Sequence, residues 1–451
     1  MDTFPQQESR FPLDTAELSA IGEAVLARAK AGGATAAETE ASQAIGLSVT
    51  VRKGEVETIE YNRDKGVVVT VYLGQRRGHA SSADTSRPAI EQAVDKALTI
   101  ARYTEEDPCA GLADPDRLAR TVPDLDLYHP WRLPVEQAID VAQRCEAAAL
   151  GVDPRITNSE GASVSAHEAE FVYANSLGFR GGYRTTRHGL SCSVIAEDAS
   201  GMQRDYWYTS SRVPGDLESP ESVGRTTGER TVRRLNARKI TTRTAPVIFE
   251  APIAGSLISH FVSAVSGGAL YRKSSFLLDS LGKPVFAPHI AIAERPLLRR
   301  GVASAPFDDE GVATTDREVV AGGVVNGYFL GSYSARKLGM ATTGNAGGSH
   351  NLIISHGDDD FAALLRQMGE GLVVTELLGQ GVNPVTGDYS RGAAGFWVEN
   401  GVIAYPVEEI TIAGNLAEMF RGIVAVGNDV DQRGSKQTGS ILIDRMTIAG
   451  A

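Results

Sequence analysis

The chain has 451 residues, 42% hydrophobic and 22% charged, which leaves room for two or three domains with sizeable cores and argues against disorder. Forty-four basic and 56 acidic residues give a net charge of −12, which disfavours a nucleic-acid or anionic-membrane partner. Three widely spaced cysteines, Cys109, Cys145 and Cys192, form no CxxC pair and argue against a disulfide framework or a thiolate zinc site.

Residues 1–14 are polar and hold no apolar stretch of the kind a signal peptide needs, so a cytoplasmic protein is expected. The longest apolar runs, such as 66–73, fall far short of a membrane span. Asp14-Thr15-Ala16-Glu17 reads as a capped helix start, and Leu18, Ile21, Val25 and Ala29 follow at helical spacing up to Gly32-Gly33. Leu47, Val49 and Val51 alternate with polar residues as in a half-buried strand, and 56–61 pairs back across a turn. Residues 67–73 read as a more buried strand. A second helix follows Ser86, with Ile90, Ala93, Val94, Ala97, Leu98 and Ala101 on its apolar face. Residues 1–110 thus form an N-terminal α+β domain.

A proline-containing loop covers 105–130. Pro134 then opens a helix with Ala138, Ile139, Ala142, Cys145 and Ala149 inward. Residues 163–194 alternate as an antiparallel meander, continued by 201–212, and a helix covers 220–235. Residues 125–240 are read as a central α+β domain. From 245 the chain becomes glycine-rich, with strands expected at 247–249, 301–304, 323–330, 351–355, 395–398 and 408–412. Helices are expected at 254–266, where Leu257, Phe261 and Val265 make one stripe, and at 361–369. Residues 244–451 are read as a Gly-rich, mostly antiparallel β domain, and the whole chain as α+β.

A zinc hydrolase needs at least three converging N, S or O ligands, commonly two helical histidines with a glutamate base. The eight histidines form no HExxH or HExxxH. His167-Glu168 lies in an alternating pattern, where neighbouring side chains face opposite ways. His350 and His356 would stand about 20 Å apart along a strand, so two separate surface or loop histidines are expected. No GxSxG occurs, and Lys273 and Lys337 read as solvated basic turns. Gly344-Asn345-Ala346-Gly347-Gly348 lacks the context of a P-loop or dinucleotide fingerprint and reads as tight turns. The densest polar cluster is Thr386-Gly387-Asp388-Tyr389-Ser390-Arg391-Gly392, which has the composition of a binding loop. An Asp388–Arg391 pair holding that loop shut is the competing reading.

These residues carry a resemblance. The run from Val374-Thr375-Glu376-Leu377-Leu378-Gly379-Gln380-Gly381 through Gly387-Asp388-Tyr389-Ser390-Arg391-Gly392 to Phe396-Trp397-Val398-Glu399-Asn400-Gly401 resembles the C-terminal domain of the TldD/PmbA metalloprotease family. Phe307-Asp308-Asp309-Glu310-Gly311 and Ser332-Tyr333-Ser334-Ala335-Arg336-Lys337 agree with it. In the TldD branch a helical HExxxH motif and a distant cysteine hold zinc, with the glutamate as general base. Aligning that motif puts Ser259, His260 and Ala264 at the His, Glu and His positions. Sliding by one residue gives His260, Phe261 and Val265. Gln437-Thr438-Gly439 supplies no cysteine. The chain is therefore similar to the metal-free PmbA, or TldE, branch.

The resemblance implies a noncatalytic subunit that binds no cofactor itself. A TldD-like partner would supply zinc, and the pair would degrade or mature unstructured peptides. Gly379, Gln380, Gly381, Asp388, Tyr389, Ser390 and Arg391 are the candidate peptide-binding or loop-structuring residues. A stand-alone, peptide-binding homodimer is the alternative, and an independent metal-free hydrolase is the third reading.

Overall fold

The computed structural model describes residues 10–199 and 201–450. Its first helix, Thr15–Ala31, opens on a complete capping box. The Asp14 carboxylate accepts from the Glu17 amide, and the Glu17 carboxylate accepts from the Asp14 amide. Leu18, Val25 and Ala29 are the buried apolar stripe.

That helix, with Arg87–Tyr103, Val135–Leu150 and Pro220–Arg233, packs on one six-stranded antiparallel sheet. The strand order is Arg76–Ser82, Glu55–Leu73, Ala36–Arg52, Ile156–Asn175, Arg180–Asp198, Gly201–Ser211. The sheet crosses the boundary between residues 1–110 and 125–240. Ala36–Arg52 pairs with Ile156–Asn175 from Glu38↔Asn175 to Val51↔Ala162. The strand period of two sorts the side chains. Ala37, Thr39, Ala41, Gln43, Ile45, Leu47, Val49 and Val51 are buried on the helix side. Glu38 and Glu40 therefore stand on the opposite face.

The C-terminal part holds two sheets and is mostly antiparallel. The larger runs Val402–Asn415, Asp388–Glu399, Gly371–Leu378, Arg243–Phe249, Ile441–Ala449, Ile423–Val426. Val402–Asn415 also pairs with Ile441–Ala449, through Thr411↔Ala449 and Ile412↔Ile448, so the sheet closes on itself. Its parallel pair is Gly371–Leu378 with Arg243–Phe249. The smaller sheet joins Val324–Val325, Arg317–Ala321, Ile292–Glu294, Leu352–Ile354 and Lys436–Gln437.

Helix Ala251–Ala264 lies against strands of both sheets, Gly371–Leu378 and Lys436–Gln437. It begins three residues before the apolar stripe suggests, because Pro252 fits a first turn whose N–H groups have no helical acceptor. Leu257, Ile258 and Phe261 are fully buried, each such burial being worth about 1.5–3 kcal/mol. Phe261 meets Phe286 at 5.0 Å and Phe420 at 6.4 Å between ring centroids. Residues 301–304, expected as a strand, form a turn. The Ala303 amide donates to Asn351 Oδ1 at 2.8 Å and Ser304 N to the Gly301 carbonyl at 3.3 Å, so no ladder forms.

Candidate functional site

A cleft of about 480 Å³ opens beside helix Ala251–Ala264. Ser256 and Ser259 reach it from the helix, Glu376 and Arg391 from the strands of the larger sheet, and Lys436 from the smaller. Tyr206 and Tyr208 form its far wall, on the strand Gly201–Ser211 that ends the first sheet.

The three motif positions meet different surroundings. Ser259 spends its hydroxyl on the Gly255 carbonyl, at 3.0 Å. The His260 ring stands edge-on to Tyr389, with centroids 5.9 Å apart and planes at 80°. Burial lowers the His260 pKa, and the nearby Arg391 charge lowers it further. Ala264 is buried in the apolar core and brings no donor atom. These residues do not fit a zinc ion, which takes at least three N, S or O ligands. Arg391 and Lys436 add two positive charges to the same cleft. Among the described residues no group of three or more His, Cys, Asp or Glu side chains could hold a metal.

The expected binding loop divides into two parts. Gly379, Gln380 and Gly381 are exposed in the turn before strand Asp388–Glu399. Gly379 has φ +73°, and a Cβ on Gly381 would overlap the Ser390 carbonyl oxygen, so both positions need glycine. Asp388 does not pair with Arg391. Its carboxylate accepts from Thr386 Oγ1 at 2.6 Å and Asn415 Nδ2 at 3.2 Å, which holds its pKa below the usual carboxylate value. Strand alternation then puts Asp388 and Ser390 outward, and Tyr389 and Arg391 toward the helix. Tyr389 is 1% exposed, and burial pushes its phenol up to about 12.

A second concave region is acidic. Two adjoining cavities of about 650 and 590 Å³ share Glu40, Tyr173, Asp309 and Ala346. Glu38 and Glu40, on the helix-free face of the first sheet, meet the turn Phe307-Asp308-Asp309-Glu310-Gly311 there. Tyr72 and Tyr173 donate to the two Glu38 oxygens at 3.0 and 2.8 Å. Burial raises the pKa of Glu38 and of Glu40. Burial lifts Asp308 to about 7, although three backbone amides donate to it.

Glu294 anchors the glycine-rich turn that borders this groove. It accepts from Arg317 Nε at 2.7 Å, and from Asn345 Nδ2 and the His350 amide at 2.8 Å. His350, expected as a surface or loop histidine, lies in a loop but is buried by this network, with Nε2 on the Gly344 carbonyl at 2.9 Å. His167 is exposed and Glu168 buried on opposite faces of their strand.

Ser256, Glu376 and Lys436 in the cleft, and Glu38 and Glu40 in the groove, are not among the site residues expected from the sequence. Ser256 and His260 are four apart on a helix, which is a readable signal. Lys436 comes from a distant segment and carries none.

Known proteins resemble the chain throughout. The model for the PmbA/TldA metallopeptidase C-terminal domain matches residues 242–450, that for the central domain 128–235, and that for domain 1 37–101. The metalloprotease PmbA of Escherichia coli is 52% identical over 419 residues, 93% of each chain. A PmbA homolog of Haemophilus influenzae is 50% identical over 432 residues, 96% of this chain and 95% of its own. A crystal structure from Bacteroides thetaiotaomicron, whose name proposes a modulator of DNA gyrase, is 29% identical with a TM-score of 0.92, covering 97% of this chain and 100% of that one. TldE from Thermococcus kodakarensis, 18% identical, shares the fold at a TM-score of 0.80 over 95% of this chain and 100% of its own. With all three domain models matched and half of the residues shared with PmbA proteins along nearly the whole length, the chain belongs to the PmbA/TldD metallopeptidase family.

Proposed function

We propose that this chain is the metal-free subunit of a two-chain zinc peptidase. A TldD-like partner supplies the zinc, and the assembly degrades or matures unstructured peptides in the cytoplasm. The observation that carries this reading is the cleft at helix Ala251–Ala264. On that helix Ser259, His260 and Ala264 supply no ligand set, in a chain otherwise close to PmbA metalloproteases. This subunit's own work is to hold substrate. A concave surface beside the sheet-edge strand Gly201–Ser211 suits an extended peptide, which can add backbone hydrogen bonds at an edge. Among the described residues no helix is long and apolar enough to cross a membrane.

The test is reconstitution. Mixing the purified chain with a TldD-like partner should give a complex that cleaves unstructured peptides and stops on chelation, while the chain alone does not cleave. Cleavage by the chain alone, unaffected by chelators, contradicts the reading. Peptide binding without turnover and without a partner complex would instead favour the homodimer.

A further inference from the structure

Buried polar atoms in native proteins almost always have a hydrogen-bond partner. Nine buried side-chain atoms among the described residues have none, and four of them lie together: Ser256 Oγ, His260 Nε2, Tyr389 OH and Arg391 Nε. Ser256 and Arg391 line the same cleft, and Tyr389 packs between His260 and Arg391. Three of the four atoms can donate in every neutral or cationic form of their side chain, and the imidazole can donate from Nε2.

The charges in the cleft do not balance. Its two carboxylates are already paired. Glu376 meets Arg234 at 2.6 Å and Arg204 at 3.2 Å, and Asp431 meets Arg433 at 2.7 Å. Arg391 and Lys436 form no ion pair with any described residue. For Lys436, burial lowers the ammonium pKa with no acidic neighbour to raise it. A half-buried cation without a counter-charge is costly unless a ligand brings one.

We propose that this cleft binds a peptide carboxylate, with Arg391 and Lys436 as its charge partners and the hydroxyls of Ser256 and Tyr389, whose protons have no acceptor, as neutral donors. The planar guanidinium suits a two-oxygen acceptor. A cleft of about 480 Å³ admits a short stretch of chain around that group, and Tyr206 and Tyr208, stacked at 6.5 Å, flank it. The peptide identity of the ligand rests on the function proposed above. Carboxylate recognition itself belongs to this chain alone. A divalent cation in one subunit would then be matched by a cationic grip in the other.

The experiment uses the full chain without a partner. Binding of a short unstructured peptide, labelled at its amino end, is followed by fluorescence anisotropy in three forms: free acid, C-terminal amide, and amide with one internal glutamate. The free acid should bind at least about tenfold more tightly than the plain amide, the usual worth of a charge-assisted hydrogen bond. Recovery of that affinity by the internal glutamate would assign the carboxylate to a side chain, and failure to recover it would assign it to the terminus. Arg391→Gln and Lys436→Met should each erase the preference, with thermal melts confirming that both variants fold. Arg391→Lys should keep part of it. Equal binding of all three peptides, a preference that survives both substitutions, or no binding of any peptide overturns the proposal. Cleavage by the reconstituted complex is scored separately, so the grip and the subunit role can fail independently.

Discussion

The acidic groove and the cationic cleft handle buried charge in opposite ways. In the groove three buried carboxylates are held by donors: Glu38 by two tyrosine hydroxyls, Asp308 by three backbone amides, and Glu294 by a guanidinium, an amide side chain and a backbone N–H. In the cleft Arg391 and Lys436 stand without carboxylates, and Ser256 Oγ, His260 Nε2 and Arg391 Nε are buried with no partner. A closed network stabilises the fold, whereas an open one is poised for something that arrives later. The contrast separates a region built to join two parts of the chain from one built to receive a ligand.

Breaking the groove's network should give the largest effect. Glu294→Ala leaves the mostly buried Arg317 without its carboxylate and should cost about 3–5 kcal/mol, read from urea unfolding. A loss below about 1 kcal/mol would mean that the network does not anchor this region. A matched pair of tyrosine variants sharpens the comparison. Tyr173→Phe removes a donor from Glu38 and should cost about 1–3 kcal/mol. Tyr389→Phe removes a hydroxyl whose one polar neighbour is the Arg391 guanidinium, and should cost less than about 1 kcal/mol while weakening carboxylate binding. Similar losses in stability for both would erase the distinction.

The groove also predicts a pH dependence. The folded Asp308 carboxyl is raised from 3.8 to about 7, so between these values the folded state holds a proton that the unfolded chain has released. Its contribution to stability is full below 3.8 and declines as pH rises toward 7. Comparing unfolding midpoints at both ends of that window should show Asp308→Asn flattening the decline. An unchanged slope would place the effect on other groups. The smallest effect is expected at Asp388. It is exposed and engages only its own turn, so Asp388→Ala should leave peptide binding within about twofold, unlike Arg391→Gln.

Local signals were legible in the sequence and non-local ones were not. The Asp14–Glu17 cap and the Leu257–Phe261 stripe depend on residues within a few positions; the first helix stands where the pattern puts it, and the second is offset by two or three residues. The strand Ala36–Arg52 shows its alternation only from Leu47 onward. Its first half buries Ala37, Thr39, Ala41 and Gln43, which are small or polar and carry little hydrophobic signal. The sheet joining the first two units depends on pairs such as Glu38↔Asn175, far apart in the chain. For the site, Asp388 and Arg391 read as one polar loop, but both lie in a strand, where positions three apart face opposite ways. His350 does lie in a loop, but its burial is not legible because its anchor, Glu294, lies far away in sequence.

The most direct test of the central claim is zinc content measured alongside peptide cleavage, for this chain alone, for a TldD-like partner alone, and for their complex. The account predicts no bound zinc and no cleavage for this chain, and zinc-dependent cleavage by the complex that survives Ser259→Ala in this subunit. Stoichiometric zinc on this chain alone, lost on changing His260, would contradict it.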